Sequence, residues 1–126
     1  MHMLRTYADS EGTSHWDQVD LGFVAADFAP PAPPVELAAG QPATRVVFVR
    51  LPVGWEDRLH PSPARQIWVG ISGILRVTTT DGETRDIPPG TPWLMEDVTG
   101  DGHGTIALGV APATEVITQL PPHSDG

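Results

Sequence analysis

The sequence predicts a single all-β domain, either an antiparallel β-barrel or a double-stranded jelly roll. Its 126 residues suffice for one domain with its own core. The 14 prolines and 13 glycines indicate many turns, and short runs rich in β-branched residues lie between them. Short strands with turn signals at regular spacing are typical of sandwiches and barrels, so we expect little helix.

The candidate strands follow one another between residues 44 and 120, which we interpret as the barrel. They are TRVVFVRL (44–51), RQIWVGIS (65–72), GILRVTTT (73–80), ETRDIP (83–88), PWLMED (92–97), HGTIALGV (103–110) and TEVITQL (113–119). The dipeptide Asp81-Gly82 predicts a hairpin, and VTGDG predicts a glycine-containing turn.

The segments outside the barrel have a different composition. Residues 1–43 are interpreted as an N-terminal arm with a proline-rich connector, in which SHWDQVDLGFV supplies one or two edge strands. Residues 121–126 are polar and are expected to form a loose tail. Such an arm is suited to lie across the sheet edge of a neighbouring subunit, so we expect a homodimer.

The composition excludes several classes of function. A net charge of −9 argues against nucleic acid or an anionic membrane as partner, because both require a basic surface. The chain has no cysteine and no lysine, which excludes disulfides, thiolate nucleophiles and Schiff-base chemistry. No run has the length of a membrane helix or the apolar core of a signal peptide, so a cytoplasmic location is expected.

Two stretches carry a recognisable spacing. In GWEDRLHPSPARQIWVGISG, the series is Gly54, His60, Ser62, Gln66 and Gly73. In GETRDIPPGTPWLMED, the series is Gly82, Pro88, Gly90, Trp93 and Asp97. Both spacings resemble the two motifs of a small single-domain cupin, and the resemblance covers about residues 44–119. It implies a cupin-type barrel with a pocket for a small organic ligand.

The resemblance also concerns a metal site. Metal-binding cupins hold their ion with two His and a Glu of the first motif and a His of the second. Here His60 remains, whereas Ser62, Gln66 and Trp93 occupy the other three positions. A transition metal needs three or four good donors, so we expect no cofactor. The alternative is one divalent transition metal held by His60, His103, Glu96 and Gln66.

Glu96 and His103 are the candidate acid and base. They flank the turn between two candidate strands, and a hairpin there would bring them together on one face. Inside the barrel, the carboxylate would raise the pKa of the histidine and fix its tautomer, with His60 as a third catalytic group. The alternatives are a surface salt bridge and a structural His60. Asp97 is assigned to the turn.

Further residues are candidates for binding the ligand. Gln66 and Trp68 are two residues apart on one strand and therefore share a face. Trp93 would add a second indole, and Arg50 could bind a carboxylate. Core packing of the tryptophans and an exposed Arg50 remain the alternatives. Two other tryptophans, at positions 16 and 55, are expected to pack the arm and a loop.

Three functions are compatible with these residues. The first is a metal-independent enzyme that carries out acid/base chemistry, such as isomerisation, cyclisation or elimination, on a compact metabolite. Several small cupins of secondary metabolism act in this way, and the resemblance implies it here. The second is a binding protein without catalysis. The third is a metal-dependent oxygenase or isomerase with a rearranged site.

Overall fold

The computed structural model describes residues 1–123, and this part of the chain is built from strands, with no helix and so none that could cross a membrane. The all-β prediction is therefore confirmed. The strands are β1 (His2–Ala8), β2 (Ser14–Asp20), β3 (Val24–Ala26), β4 (Val35–Leu37), β5 (Arg45–Leu51), β6 (Gln66–Ser72), β7 (Ile74–Thr79), β8 (Thr84–Ile87), β9 (Trp93–Met95), β10 (His103–Leu108) and β11 (Ala113–Gln119).

The strands form two main sheets and a small one. The six-stranded sheet has the order β2-β1-β9-β6-β11-β5, the three-stranded sheet has the order β10-β7-β8, and β3 pairs with β4. All pairs are antiparallel except β1 with β9, which is parallel. One buried cluster joins residues of both main sheets, among them Leu75, Val77, Trp93 and Ala113. The arrangement is consistent with the barrel-like fold of cupins.

The N-terminal strand belongs to the main sheet of its own chain. β1 pairs with β2 along its length and lies beside β9, where Leu4 is opposite Trp93. Its two faces are both covered, because Leu4 packs on the main cluster and Met3 on a second one. His2–Asp20 thus contributes two strands to the six-stranded sheet of its own chain. The proline-rich connector contains the short, mostly exposed β3-β4 hairpin.

The turns lie where the sequence predicts them. β7 and β8 are joined by a hairpin at Asp81-Gly82, in which Gly82 has a φ of 92°. Gly73 joins β6 to β7 with a φ of 83°, and a Cβ there would lie 2.7 Å from the Cα of Ala113. Only glycine fits such a position. Gly73, the last residue of the first motif, therefore lets β11 pack closely against the turn between β6 and β7.

The register of the main sheet arranges inward-facing side chains in rows. One row crosses β5, β11, β6 and β9 as Arg45, Gln119, Gln66 and Met95, and the next as Val47, Ile117, Trp68 and Trp93. Side chains that are directly opposite on paired strands lie on the same face. Apart from Trp93, which is buried, the residues of these two rows form one wall of the cavity between the sheets.

Candidate functional site

A cavity of about 430 Å³ lies between the two main sheets. This volume is within the range of small-molecule sites. One part of its wall is apolar and the other is polar. The apolar residues include Val47, Val49, Leu51, Trp55, Trp68 and Ile117, and the polar ones include Asp57, His60, Ser62, Gln66, His103 and Gln119.

His103 and Asp97 form a buried pair at the polar side of this cavity. The Nδ1 atom of His103 lies 2.6 Å from Oδ2 of Asp97, and the two residues are 2% and 0% exposed. Thr6 donates a hydrogen bond to Oδ1 of Asp97 at 2.8 Å, and Ser14 donates one to Oδ2 at 2.9 Å. Three donors therefore converge on one buried carboxylate.

The surroundings of Asp97 determine its charge. Burial acts to raise its pKa, but the hydrogen bonds from His103, Thr6 and Ser14 outweigh burial and hold the pKa below its ordinary value. An ionised carboxylate accepts the proton of Nδ1, so the neutral imidazole has its lone pair on Nε2. His103 lines the cavity, and its Nε2 forms no hydrogen bond within residues 1–123. This atom is therefore available to a ligand.

The predicted pair of Glu96 and His103 does not form. The Glu96 carboxylate instead accepts a hydrogen bond from Arg65 at 2.8 Å and one from Arg5 at 3.3 Å, and it also pairs with His123. Burial acts to raise the pKa of Glu96, but the hydrogen bonds from Arg65 and His123 outweigh it, so the pKa is lowered. Glu96 thus connects Arg5 of β1 and His123 to Arg65, the residue before β6, and it does not line the cavity.

The topology explains this error. β9 lies in the six-stranded sheet and β10 in the three-stranded sheet, so the turn between them crosses from one sheet to the other and closes no hairpin. His103 faces Thr79 and forms a bridge with His60. Side chains alternate along an extended chain, so Asp97 faces inward when Glu96 faces outward. Asp97 is a site residue that the sequence interpretation assigned to the turn.

His60 lines the same cavity, but its side chain is 47% exposed. Its Nδ1 lies 2.8 Å from the carbonyl oxygen of Pro61 and its Nε2 lies 2.7 Å from Oδ2 of Asp57. Both neighbours are acceptors. The Pro61 carbonyl and the Asp57 carboxylate, in that order, raise the pKa of His60 and favour the imidazolium form. The ring centroids of His60 and His103 are 5.9 Å apart.

Gln66 is a buried polar residue in the wall of the cavity, with an exposure of 4%. Its Oε1 accepts a hydrogen bond from Gln119 at 3.2 Å, and its Nε2 lies 3.3 Å from the sulfur of Met95. A thioether is a weak acceptor. The amide of Gln66 therefore has a donor for a ligand oxygen, as the sequence interpretation assumed.

Of the two tryptophans expected in the cavity, Trp68 lines it and Trp93 does not. Trp68 lines the cavity, as does Trp55 from the segment after β5. Trp93 is fully buried and donates a hydrogen bond to Oγ1 of Thr6 at 3.1 Å. Its ring packs edge-on against His103 with centroids 5.1 Å apart. Trp93 thus supports the histidine from behind and does not line the cavity, and Trp16 is likewise part of the buried core.

Arg50 lies on the outer face of β5, away from the cavity. Arg45, Val47, Val49 and Leu51 line the cavity, and the even-numbered positions of the strand face the other way. The inward-facing arginine is therefore Arg45, whose Nε donates to Oε1 of Gln119 at 2.7 Å. The ligand-binding role predicted for Arg50 is contradicted by this alternation.

The residues present do not fit the metal of metal-binding cupins. Ser62 donates its hydroxyl to the carbonyl of Ala64, Trp93 is buried behind His103, and Glu96 pairs with arginines. Within residues 1–123, no group of three or more His, Cys, Asp or Glu side chains is arranged to hold an ion. The alternative set of His60, His103, Glu96 and Gln66 is not assembled, because Glu96 lies outside the cavity.

Comparisons with known proteins add little to this description. No protein-family model matches the chain, and no curated protein matches it. Among solved structures, a conserved protein of unknown function from Streptococcus pyogenes is similar at 22% identity and a TM-score of 0.49. The match covers 68% of this chain and 72% of that protein.

Proposed function

We propose that the protein is an enzyme that moves a proton on a compact organic molecule without a metal, with His103 as the general base. The observation that carries this proposal is the free Nε2 of His103 in the cavity, with a buried, ionised Asp97 behind the ring. A histidine oriented by a carboxylate is a frequent construction for acid/base catalysis. A purely structural ion pair would not need an open ring nitrogen in a cavity.

The proposed reaction begins when Nε2 takes a proton from a carbon next to a carbonyl group. The electron pair of the C–H bond moves into the new double bond, and the carbonyl oxygen becomes an enolate oxygen. Asp97 stabilises the imidazolium that results. His103 then returns the proton to another atom of the molecule, which gives isomerisation, or to a leaving group, which completes an elimination.

Two groups near His103 can stabilise the enolate. The amide of Gln66 donates a hydrogen bond to the oxygen, and the ring of His60, whose pKa is raised by the Pro61 carbonyl and Asp57, stabilises the developing negative charge whenever it is protonated. The apolar wall with Val47, Val49 and Trp68 lowers the polarity of the surroundings and strengthens both interactions. The alternative is a binding protein, in which the same groups hold a ligand and no proton moves.

The experiment measures proton abstraction directly. The protein is incubated in D2O with enolisable probes such as phenylpyruvate and cyclohexanone, and NMR follows the replacement of C–H by C–D. His103→Gln should lose on the order of 100-fold or more in exchange rate. His15→Gln is the matched control, since His15 also pairs with aspartates but lies at the surface. Equal exchange rates for His103→Gln and wild type would show that His103 is not the base, and the binding protein would then be the remaining function.

We also propose that two copies form a dimer through the outer face of the main sheet. Val46 and Phe48 on the edge strand β5 are 58% and 71% exposed. Phe48 is opposite Val116, which in turn is opposite Val69, so an apolar row crosses this face. Val116 and Val69 are half-buried and continue the exposed pair Val46 and Phe48, and a contiguous apolar patch of this kind is typical of contact surfaces between proteins.

A further inference from the structure

Three arginines of this acidic chain, Arg45, Arg50 and Arg58, form no ion pair within residues 1–123, and Arg45 is the one of the three that lines the cavity. The sequence has 7 basic and 16 acidic residues, and Arg5, Arg65, Arg76 and Arg85 each pair with a carboxylate. Arg45 has no carboxylate partner within residues 1–123, although it lines the cavity. A positive charge without a counter-ion at a binding cavity points to an anionic group on the ligand.

The arginine is held in place through a single donor. Its Nε donates to Gln119 at 2.7 Å, and Gln119 donates to Gln66 at 3.2 Å. This chain of contacts follows the row of inward-facing residues that ends at Met95. The two terminal amino groups of Arg45 form no hydrogen bond to the described residues. They can therefore donate two parallel hydrogen bonds to one carboxylate.

The rest of the cavity limits the kind of anion. Arg45 is the one arginine among the described residues that line it, and much of the wall beside it is apolar. A phosphate group would require more donors, because it carries more charge and more exposed oxygens. A carboxylate needs one guanidinium. In the sheet, the row next to Arg45 contains Val47, Ile117 and Trp68, which can contact an apolar body.

We infer that the ligand is a compact, largely apolar carboxylic acid whose carboxylate binds Arg45 and whose body lies against Val47, Ile117 and Trp68. This inference names the substrate class of the proposed function and rests on the same cavity. Arg45 acts as a specificity residue. His103 acts on the carbonyl-bearing part of the same molecule.

The experiment compares acids with amides of the same shape. Benzoate and hexanoate are titrated against benzamide and hexanamide, with binding measured by tryptophan fluorescence and by saturation-transfer NMR. Wild type should bind each acid roughly tenfold more tightly than its amide. Arg45→Gln should bind the acids no better than the amides, with unchanged amide affinity. Arg50→Gln is the matched control on the outer face of the same strand, and it should keep the wild-type preference.

Several results would overturn the inference. These are equal binding of acids and amides, no binding of either class, or an equal loss in Arg45→Gln and Arg50→Gln. Tighter binding of inorganic phosphate than of the acids would also overturn it. Failure is separable from that of the proposed function, because His103→Gln should keep the preference for acids. An acid-binding protein without proton exchange would retain the role of Arg45 and lose the catalytic role of His103.

Discussion

Glu115 is a buried carboxyl group that the proposed reaction does not use. It is 3% exposed, faces inward on β11 between Val49 and Gly70, and forms no hydrogen bond or ion pair within residues 1–123. Its carboxyl fills the space left by the missing side chain of Gly70, since a Cβ there would lie 2.6 Å from Oε2. Burial raises the pKa of Glu115 from 4.5 to about 7.

This pKa shift has a consequence for stability. Between pH 4.5 and 7, the unfolded chain has released the proton while the folded chain retains it. The contribution of Glu115 to the free energy of unfolding is therefore fully present below pH 4.5, falls as the pH rises, and is lost above pH 7. A shift of this size corresponds to about 3 kcal/mol at 1.36 kcal/mol for each pKa unit. Glu115→Gln keeps the shape and removes the titration.

The assay is urea unfolding at pH 4, 6 and 8, followed by tryptophan fluorescence. The unfolding free energy of Glu115→Gln relative to wild type should increase by about 3 kcal/mol from pH 4 to pH 8. The control is Glu36→Gln, because Glu36 is exposed on β4. A relative free energy for Glu115→Gln that stays constant with pH would refute the reasoning from burial.

Three further predictions concern the buried pair of His103 and Asp97, the dimer and the absence of a metal requirement. Asp97→Asn should lower the unfolding free energy at pH 7 by about 3 kcal/mol. The reason is that it removes the charge to which Thr6, Ser14 and His103 donate hydrogen bonds. An unchanged melting temperature would contradict this prediction. Phe48→Asp should convert a dimer into a monomer in light scattering. Val110→Asp is the control, because Val110 is exposed in the loop between β10 and β11, and it should leave the dimer intact. A monomeric wild type would refute the dimer. Treatment with EDTA should leave melting temperature and exchange rate unchanged, while a tightly bound stoichiometric metal would contradict a metal-independent site.

The sequence predicts the fold through local signals. Turn glycines at the motif positions have positive φ angles, among them Gly54, Gly73 and Gly90, and the hairpin at Gly82 closes where expected. The insertion of β1 beside β9 could not be predicted in this way. It depends on pairing between residues about 90 positions apart, and no local pattern records such a contact.

The site was predicted in part, and the errors have one physical origin. His60, His103, Gln66 and Trp68 line the cavity as expected. A hairpin between β9 and β10 would place Glu96 inside, but the two strands lie in different sheets, and a shift of one residue moves a side chain to the other face. Met95 faces inward, and side chains alternate along an extended chain, so Asp97, two residues later, also faces inward.

The same alternation separates Arg50, which the sequence suggests as a ligand-binding residue, from Arg45, which lines the cavity. Arg45 and Arg50 stand at the two ends of the β-prone run, and five positions separate them, so they face opposite sides of the strand. Leu51 is buried, so the odd-numbered residues of β5 face the interior. Sequence alone could not supply this reference, because apolar residues occur at both parities of this run, with Val46 and Phe48 at even positions and Val47, Val49 and Leu51 at odd ones.

The central claim is that Asp97 holds His103 with an unprotonated Nε2 in the cavity, and nitrogen NMR of histidine-labelled protein tests it without any substrate. In the neutral imidazole of His103, the proton should lie on Nδ1 and Nε2 should carry none. Asp97→Asn should remove this preference, because an amide can also donate to Nδ1. A neutral His103 that carries its proton on Nε2 in wild type would contradict the account, since no lone pair would then face the ligand.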